Sequence, residues 1–368
     1  MSARGGTLER AMERILLIGP YGLGNVLMAL PALQALHATG RYRVEMACLL
    51  PSTERMCRDV PELSRLFAEV HALHAGRGAA ALARTVLRLR AARFDYSVVM
   101  FPSAKAHYNL ASLALGARVR IGSAFPRQPW WHLNRLNHRR VPVRPELHDC
   151  AQTVRLIAEG LGLALPEPKS YVFRRVKQDA RLVGVHPGCK LEYRFKRWGV
   201  ERFGEAIRLL AGAHPPLRFR VFFGPDEREE QEQFERLLAA PPYAALATRI
   251  ELSVGDPLAR LFDRLGECGA MISNDSGMMH IAAAQGVRTL GIFGPSDERR
   301  TGPFSPESSV LATDIACRPC ALTNDVRARA FHCIHDRQYC LTEIGPERVL
   351  AWFDGAATDR PIPARGPT

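Results

Sequence analysis

The sequence predicts an α/β protein of two doubly wound domains, and three observations carry that reading. Short apolar runs such as RILLIG (residues 14–19) and LVGVH (182–186) recur, each followed by a glycine-bearing loop and then a helical pattern. The rhythm stops at the proline-bearing stretch LALPEPKS (163–170) and restarts after it. The chain has 368 residues, more than one comfortable hydrophobic core holds.

Composition narrows the function classes. The apolar fraction of 47% is ordinary for a globular protein, no run of 18 apolar residues occurs, and the first residues lack the apolar segment of a secretory signal. A cytoplasmic protein is therefore expected, with its nine cysteines reduced or metal-bound rather than forming a disulfide framework. A formal charge of +13 favours anionic partners. No nucleic-acid module is recognisable, so phosphate ligands or an anionic membrane surface are expected and nucleic acid is not.

The first domain opens with the strand 14–19, a glycine turn at 20–25 (PYGLGN) and a helix from Val26 to Ala38. Gly22 and Gly24 allow a tight turn or a close ligand approach, but the full dinucleotide fingerprint is missing. Strands follow near 44–50, 67–71, 96–101 and 118–121, with helices from about Thr53, at 79–92 and at 105–115. Residues 124–149 break the rhythm with prolines, Trp130, Trp131 and the bases Arg127, His132, Arg135, His138, Arg139, Arg140 and Arg144. This stretch reads either as a solvated loop or as a basic, aromatic lip facing an anionic acceptor or headgroup layer. A helix at 150–160 leads to the linker.

After the linker come the strand 182–186, a basic stretch at 194–198, a helix at 200–210, and the strand 219–223 ending in Gly224, Pro225, Asp226 and Glu227. A strand at 250–252, a loop through Gly255 and a helix at 258–265 precede the richest stretch, residues 271–304. There an apolar strand end meets four good helix N-caps, Ser273, Asn274, Asp275 and Ser276, before a small-residue helix from Met278 to Gln285. A helix beginning there directs free N–H groups and positive potential at its mouth, where phosphate is the usual guest. A second loop follows the next strand, so Asp275, His280, Asp297, Arg299 and Arg300 are expected to converge.

Four cysteines, Cys317, Cys320, Cys333 and Cys340, have the spacing C-x2-C-x12-C-x6-C. Thiols so spaced can close on one tetrahedral ion, zinc by default and iron by the same sulfur chemistry, or remain reduced in a loop-rich segment. Cys48, Cys57, Cys150, Cys189 and Cys268 read as scattered buried or free thiols.

In order, the motifs ILLIGPYGLGNVLMALPALQAL, GVHPGCKLEYRFKRWGVERFGEAI, FFGPDE and ISNDSGMMHIAAAQGVRTLGIFGPSDERRTGPF resemble glycosyltransferase family 9, the ADP-heptose:lipopolysaccharide heptosyltransferases, over residues 14–353. The resemblance implies a GT-B fold, two Rossmann-like domains facing a central cleft, with metal-independent inverting transfer and no cofactor for catalysis. On this reading residues 1–13 are a loose leader and 14–165 hold the acceptor. Residues 166–353 hold the nucleotide-sugar and carry the cysteine-rich segment 317–340, and 354–368 are a tail.

The resemblance also assigns residues. Lys196 would supply positive charge to a sugar diphosphate and to the departing diphosphate, and the amides of Ser276, Gly277 and Met278 would donate to it. Asp275 matches an aspartate that contacts the donor sugar. His280 would support the phosphates or that aspartate. Glu227 resembles the acid that binds a ribose diol, His186 lines the same nucleotide site, and Gly255 resembles a position whose backbone meets the base.

On the acceptor side stand Gly22, Gly24 and Asn25, and Asn25 occupies the place where the family pattern S-L-G-D has its general base. An amide has no accessible pKa and cannot take that proton. Another group (Glu54, His107 and Asp297 are the candidates) acts instead, or Asn25 only orients the acceptor, or the chain binds without catalysing. The implied partners are ADP-heptose or a similar nucleotide-sugar, a lipopolysaccharide-type acceptor or a protein one such as the family's iron-binding members modify, and an anionic membrane touched peripherally at its inner face. A GT-B-like epimerase is a third class that no residue singles out.

Overall fold

The computed structural model describes residues 12–19, 22–320 and 333–355. The expected leader residues 1–11, Pro20 and Tyr21 of the first turn, part of the cysteine-rich segment (321–332) and tail residues 356–368 lie outside the described residues. The chain divides into two units. The first comprises Met1–Tyr21, Ala32–Val143 and Arg155–Leu165; the second comprises Gly22–Pro31, Arg144–Val154 and Pro166–Thr368.

The first unit carries a six-stranded parallel sheet in the order β3-β2-β1-β4-β5-β6. Its strands are β1 (Glu13–Ile18), β2 (Tyr42–Cys48), β3 (Glu69–Ala72), β4 (Tyr96–Val99), β5 (Val119–Ala124) and β6 (Arg139–Pro142). Ile15, Leu16, Leu17 and Ile18 are all fully buried, as a central parallel strand covered on both faces requires. Ile15 pairs with Val44 on one side and Tyr96 on the other.

The helices of the first half are α1 (Leu23–Ala38), α2 (Pro51–Asp59), α3 (Pro61–Ser64), α4 (Ala79–Ala91), α5 (Ala106–Leu115) and α6 (Asp149–Leu161). Helix α1 begins three residues earlier than the sequence pattern suggests. Gly22, at φ +90, takes the turn alone, so Asn25 stands in the first helical turn and not in a loop. Residues 124–149 are also more regular than expected, because β6 lies inside them and pairs with β5 through Ile121 and Arg139.

The second unit repeats the plan with β7 (Asp179–His186), β8 (Arg218–Phe223), β9 (Ile250–Val254), β10 (Cys268–Asn274), β11 (Arg288–Phe293) and β12 (Ser309–Ala312), in the order β12-β11-β10-β7-β8-β9. Counted from its own first strand, each sheet has the doubly wound order 3-2-1-4-5-6. The helices are α7 (Val200–Ala213), α8 (Arg228–Ala239), α9 (Leu258–Gly266), α10 (Gly277–Ala284), α11 (Glu298–Thr301), α12 (Tyr339–Thr342) and α13 (Glu347–Phe353). Val183, Val185, Val221, Ile272 and Ile292 from the sheet pack with Trp198, Phe203, Ile207 and Trp352 in one core. Burial of each such side chain stabilises the fold by about 1.5–3 kcal/mol.

No helix among the described residues is long and apolar enough to cross a membrane.

Candidate active site

In a doubly wound sheet, ligands bind beyond the carboxyl ends of the strands, where the strand order reverses. In the second unit that point lies between β7 and β10, and the expected site residues stand at or after the ends of β7, β8, β9, β10 and β11 in the chain. The loops are fixed from below. Trp198 is 1% exposed, and its indole N–H donates to the Ile344 carbonyl at 2.9 Å. Asn274 accepts from the Trp198 amide at 3.0 Å and donates to the carbonyls of Pro187, at 2.6 Å, and Gly188, at 3.2 Å. One side chain thus clamps the loop after β7 to the Lys196 segment. Arg197 adds an ion pair to Glu230 and a bond to the Cys189 carbonyl at 2.6 Å.

With its neighbours pinned, Lys196 reaches across to Asp275, Nζ to Oδ2 at 2.6 Å, and passes over the Tyr193 ring at 5.2 Å. The Ser296 hydroxyl donates to the same Oδ2 at 2.6 Å. Burial opposes both charges, yet each ion outweighs it for the other. Lys196 is raised above its ordinary pKa by Asp275, and Asp275 is lowered below its own by Lys196, with help from Ser296. The pair is ionised at neutral pH beside the first turn of α10. There Ser276 caps the helix, accepting from the Met279 amide at 3.5 Å, and the first-turn N–H groups at Ser276, Gly277 and Met278 have no partner within the helix. A cation and a helix N-terminus together form an anion receptor.

His280, in the second turn of α10, is 4% exposed, and its Nδ1 lies 2.9 Å from the Tyr171 hydroxyl. Burial pushes its pKa down to about 4 against the pull of Asp275, so the ring is neutral at pH 7. Its other edge meets Gly24: a Cβ placed there would stand 2.7 Å from Cδ2 and 3.3 Å from Nε2. Among the described residues no hydrogen bond is made to Nε2. Leu23 likewise lies against Gly277. The expected acceptor-side residue Gly24 therefore adjoins α10 within this unit, Asn25 follows it in the first turn of α1, and Gly22 serves the turn.

At the start of α6, Asp149 accepts from Arg300 at 3.0 Å, and burial raises its pKa to about 6 despite that partner. His148 donates Nε2–H to the Gly302 carbonyl at 3.0 Å and accepts the Cys150 amide at Nδ1, 3.1 Å away. Both nitrogens are used by a neutral ring, and burial pushes its pKa down to about 3. Arg300 thus holds a structural anion. Asp297 caps α11 and is held by Arg299 through both oxygens, at 2.9 and 3.0 Å.

Glu227 and His186 meet, Oε1 to Nε2 at 3.4 Å, while Oε2 accepts the Gly224 amide at 2.6 Å and His186 Nδ1 contacts the Phe222 carbonyl at 3.0 Å. A side chain at Gly188 would overlap the Glu227 carboxylate and push it from this position. Gly255, at φ +64 with open space about it, bonds its amide to the Phe223 carbonyl at 3.2 Å. Glu54 is committed elsewhere: Arg58, His74 and Arg77 all engage its carboxylate in the first unit. His107 lies at the start of α5 in that unit. Asn274, Ser296 and Tyr171 are site residues that sequence reasoning did not assign to these roles.

The described cysteines are free thiols. Cys317, Cys320, Cys333 and Cys340 share a neighbourhood: burial pushes Cys340 up to about 11, and the other three thiols add to the rise. Their segment touches the site loops. The Cys320 amide donates to the Pro295 carbonyl at 3.0 Å, Arg318 reaches the Ser296 carbonyl at 3.2 Å, and Gln338 reaches the Phe195 carbonyl at 2.9 Å. Among the described residues the group of metal-ligating atoms within 4.8 Å of one another is Glu45, Glu69 and His71, not the cysteines. That group is an ion-pair network, since Arg14 and Arg43 hold Glu45 and Arg88 holds Glu69.

The sequence matches glycosyltransferase family 9 (heptosyltransferase) over residues 82–329, and the chain belongs to that family. It is 25% identical over 365 residues to lipopolysaccharide heptosyltransferase 2 of Escherichia coli (strain K12), covering 92% of this chain and 96% of that one. It is 26% identical over 176 residues to lipooligosaccharide heptosyltransferase 2 of Campylobacter jejuni subsp. jejuni serotype O:2, covering 48% of this chain and 50% of that relative. The match thus spans about half of the latter's length. The solved structure of E. coli ADP-heptose lps heptosyltransferase II aligns with a TM-score of 0.68 at 20% identity, over 93% of this chain and 98% of that one. The fold is the GT-B fold of those heptosyltransferases.

Proposed function

We propose that the chain is an inverting glycosyltransferase that moves a heptose from ADP-heptose to a lipopolysaccharide core or a protein acceptor, at the cytoplasmic face of a membrane. In this reading residues 166–353 hold the donor and residues 14–165 the acceptor. The observation that carries it is the Lys196–Asp275 pair beside the start of α10, in a family 9 chain. The acceptor hydroxyl oxygen attacks the anomeric carbon, the bond from that carbon to the diphosphate oxygen breaks, and its electron pair stays with the diphosphate. Lys196 and the first-turn amides of α10 receive the charge that builds there. Glu227 and His186 take the nucleoside side, and Asp275 faces the sugar.

The hydroxyl proton needs an acceptor that Asn25 cannot be. Of the described groups, the neutral imidazole of His280 is best supported for it: its Nε2 edge lies against Gly24, the residue before Asn25, no described residue hydrogen-bonds that nitrogen, and Tyr171 stands behind the opposite one. Purified protein given ADP-heptose and lipopolysaccharide-core or polypeptide acceptors is expected to release ADP in step with glycosylated product. Release indifferent to every acceptor would sink the assignment. Asn25 also favours a second reading, a donor-binding homologue without catalysis. It is distinguished by ADP binding with zero turnover that Asn25→Asp leaves at zero.

We read the four cysteines as holding a structural zinc or iron ion that ties the 317–340 segment against the loops bearing Ser296 and Lys196. The C-x2-C-x12-C-x6-C spacing and the bonds from Arg318, Cys320 and Gln338 to those loops support this. The ion would have no part in transfer. Elemental analysis is expected to find about one zinc or iron per chain. Neither metal, in protein purified without chelator, would remove the site.

A further inference from the structure

The first unit carries an exposed aromatic pair in a one-signed field. Trp130 is 71% exposed and Trp131 57%, their rings side by side at 5.9 Å in an edge-on arrangement. The turn that bears them is braced and not loose: Asn109 of α5 donates to the His132 carbonyl at 2.7 Å, Asn137 donates to Asn109 at 2.7 Å, and Gln128 donates to the Ala104 carbonyl at 3.0 Å. The helix that braces it adds Leu110, 47% exposed, and Leu113, 39% exposed, one turn apart on the same stripe. Four large apolar side chains held outward on a rigid support are unusual on a surface that meets only water.

The charges point to the partner. Residues 96–143 contain seven Lys and Arg and no Asp or Glu. Among the described residues, no carboxylate pairs with the exposed Lys105, Arg127, Arg135 or Arg140. Arg127 and Arg135 flank the tryptophans in sequence, and burial together with the charge of Lys105 lowers the pKa of His132. Indole rings settle where an apolar layer meets a polar one, and unpaired cations beside them seek phosphate.

We infer that Trp130, Trp131, Leu110 and Leu113, with Lys105, Arg127 and Arg135, form a docking face for an anionic lipid bilayer, the tryptophans entering the headgroup boundary. This deepens the proposed function by naming the surface of peripheral contact, and it rests on that reading only for its biological purpose. Binding is measured without any transfer step, so the two can fail separately.

The test uses the full chain with vesicles of phosphatidylethanolamine and phosphatidylglycerol, against neutral phosphatidylcholine vesicles. The chain has four tryptophans, and the other two, Trp198 and Trp352, are 1% and 4% exposed, so a blue shift on binding reports the docking pair. The expected results are a blue shift, partition onto anionic vesicles at least about tenfold above neutral ones, and loss of most binding at high salt. Trp130→Ala with Trp131→Ala is expected to lower partition about tenfold or more while leaving ADP affinity unchanged. Equal partition of wild type and the double variant, no preference for anionic lipid, or binding without a blue shift overturns the inference. So does protection of the tryptophans by a polypeptide acceptor when vesicles give no shift.

Discussion

Lys196→Ala is expected to lower kcat for transfer by about 10²- to 10³-fold, the usual cost of removing one group that meets charge developing in a transition state. It is also expected to destabilise the fold by about 3–5 kcal/mol, because Asp275, 7% exposed, would keep its charge with only the Ser296 hydroxyl to meet it. The two losses separate. Adding Asp275→Asn removes the stranded charge, so the double variant regains most of the stability and none of the activity.

The sign with pH is a further check. In the wild type, Lys196 holds the Asp275 pKa below its ordinary value of 3.8, so the pair's stabilisation persists above that value and fades as pH falls through the lowered one. In Lys196→Ala, burial is left unopposed by the cation and the pKa rises above 3.8. The carboxyl is then neutral in the folded state at mildly acid pH, and its penalty appears only as pH rises through the raised value. The deficit of the single variant should therefore be large at neutral pH and shrink on acidification, as measured by thermal melting across that range. A deficit independent of pH would mean that Lys196 contributes packing and not charge.

How far such residues are readable in advance depends on whether their signal is local. Strands such as β1, β7 and β10 announce themselves because a parallel strand covered on both faces must be apolar throughout. The edge strand β6, with Arg139 and Arg140 exposed and ending in a proline, offers no such run, and β12 is equally brief. The helix mouth at Ser276 was legible because a cap and a small-residue helix adjoin in sequence. Its supports were not. Asn274 looks like one more cap residue, yet its amide joins two loops 76 to 87 positions away. The Asp149–Arg300 pair joins positions 151 apart. Pairings of that kind are decided by which strand ends become neighbours, so strand order had to be known before they could be named.

The same non-local placement gives the remaining prediction its form. His280→Gln is expected to reduce kcat by about 10²- to 10⁴-fold with little change in donor affinity, as for loss of a general base. Since burial holds the His280 pKa down at about 4, the ring can accept a proton throughout the neutral range. The wild-type kcat/KM should stay level from neutral pH downward and fall as pH approaches that value. Base function needs the proton on Nδ1, given to the Tyr171 oxygen, and the lone pair on Nε2. Two-bond ¹H–¹⁵N spectra, assigned by the variant, report that tautomer without any turnover, and a proton on Nε2 at neutral pH would exclude the role.

Asn25 supplies the converse test, because its side chain departs from the first turn of α1 beside the glycine that meets the imidazole. Asn25→Asp placed on His280→Gln puts a carboxylate at the position where the family pattern S-L-G-D has its base, and should recover at least about tenfold of the lost rate, which a merely structural histidine would not permit. If His280→Gln instead raises KM for the donor at unchanged kcat, the ring steadies phosphate and the proton leaves by another route.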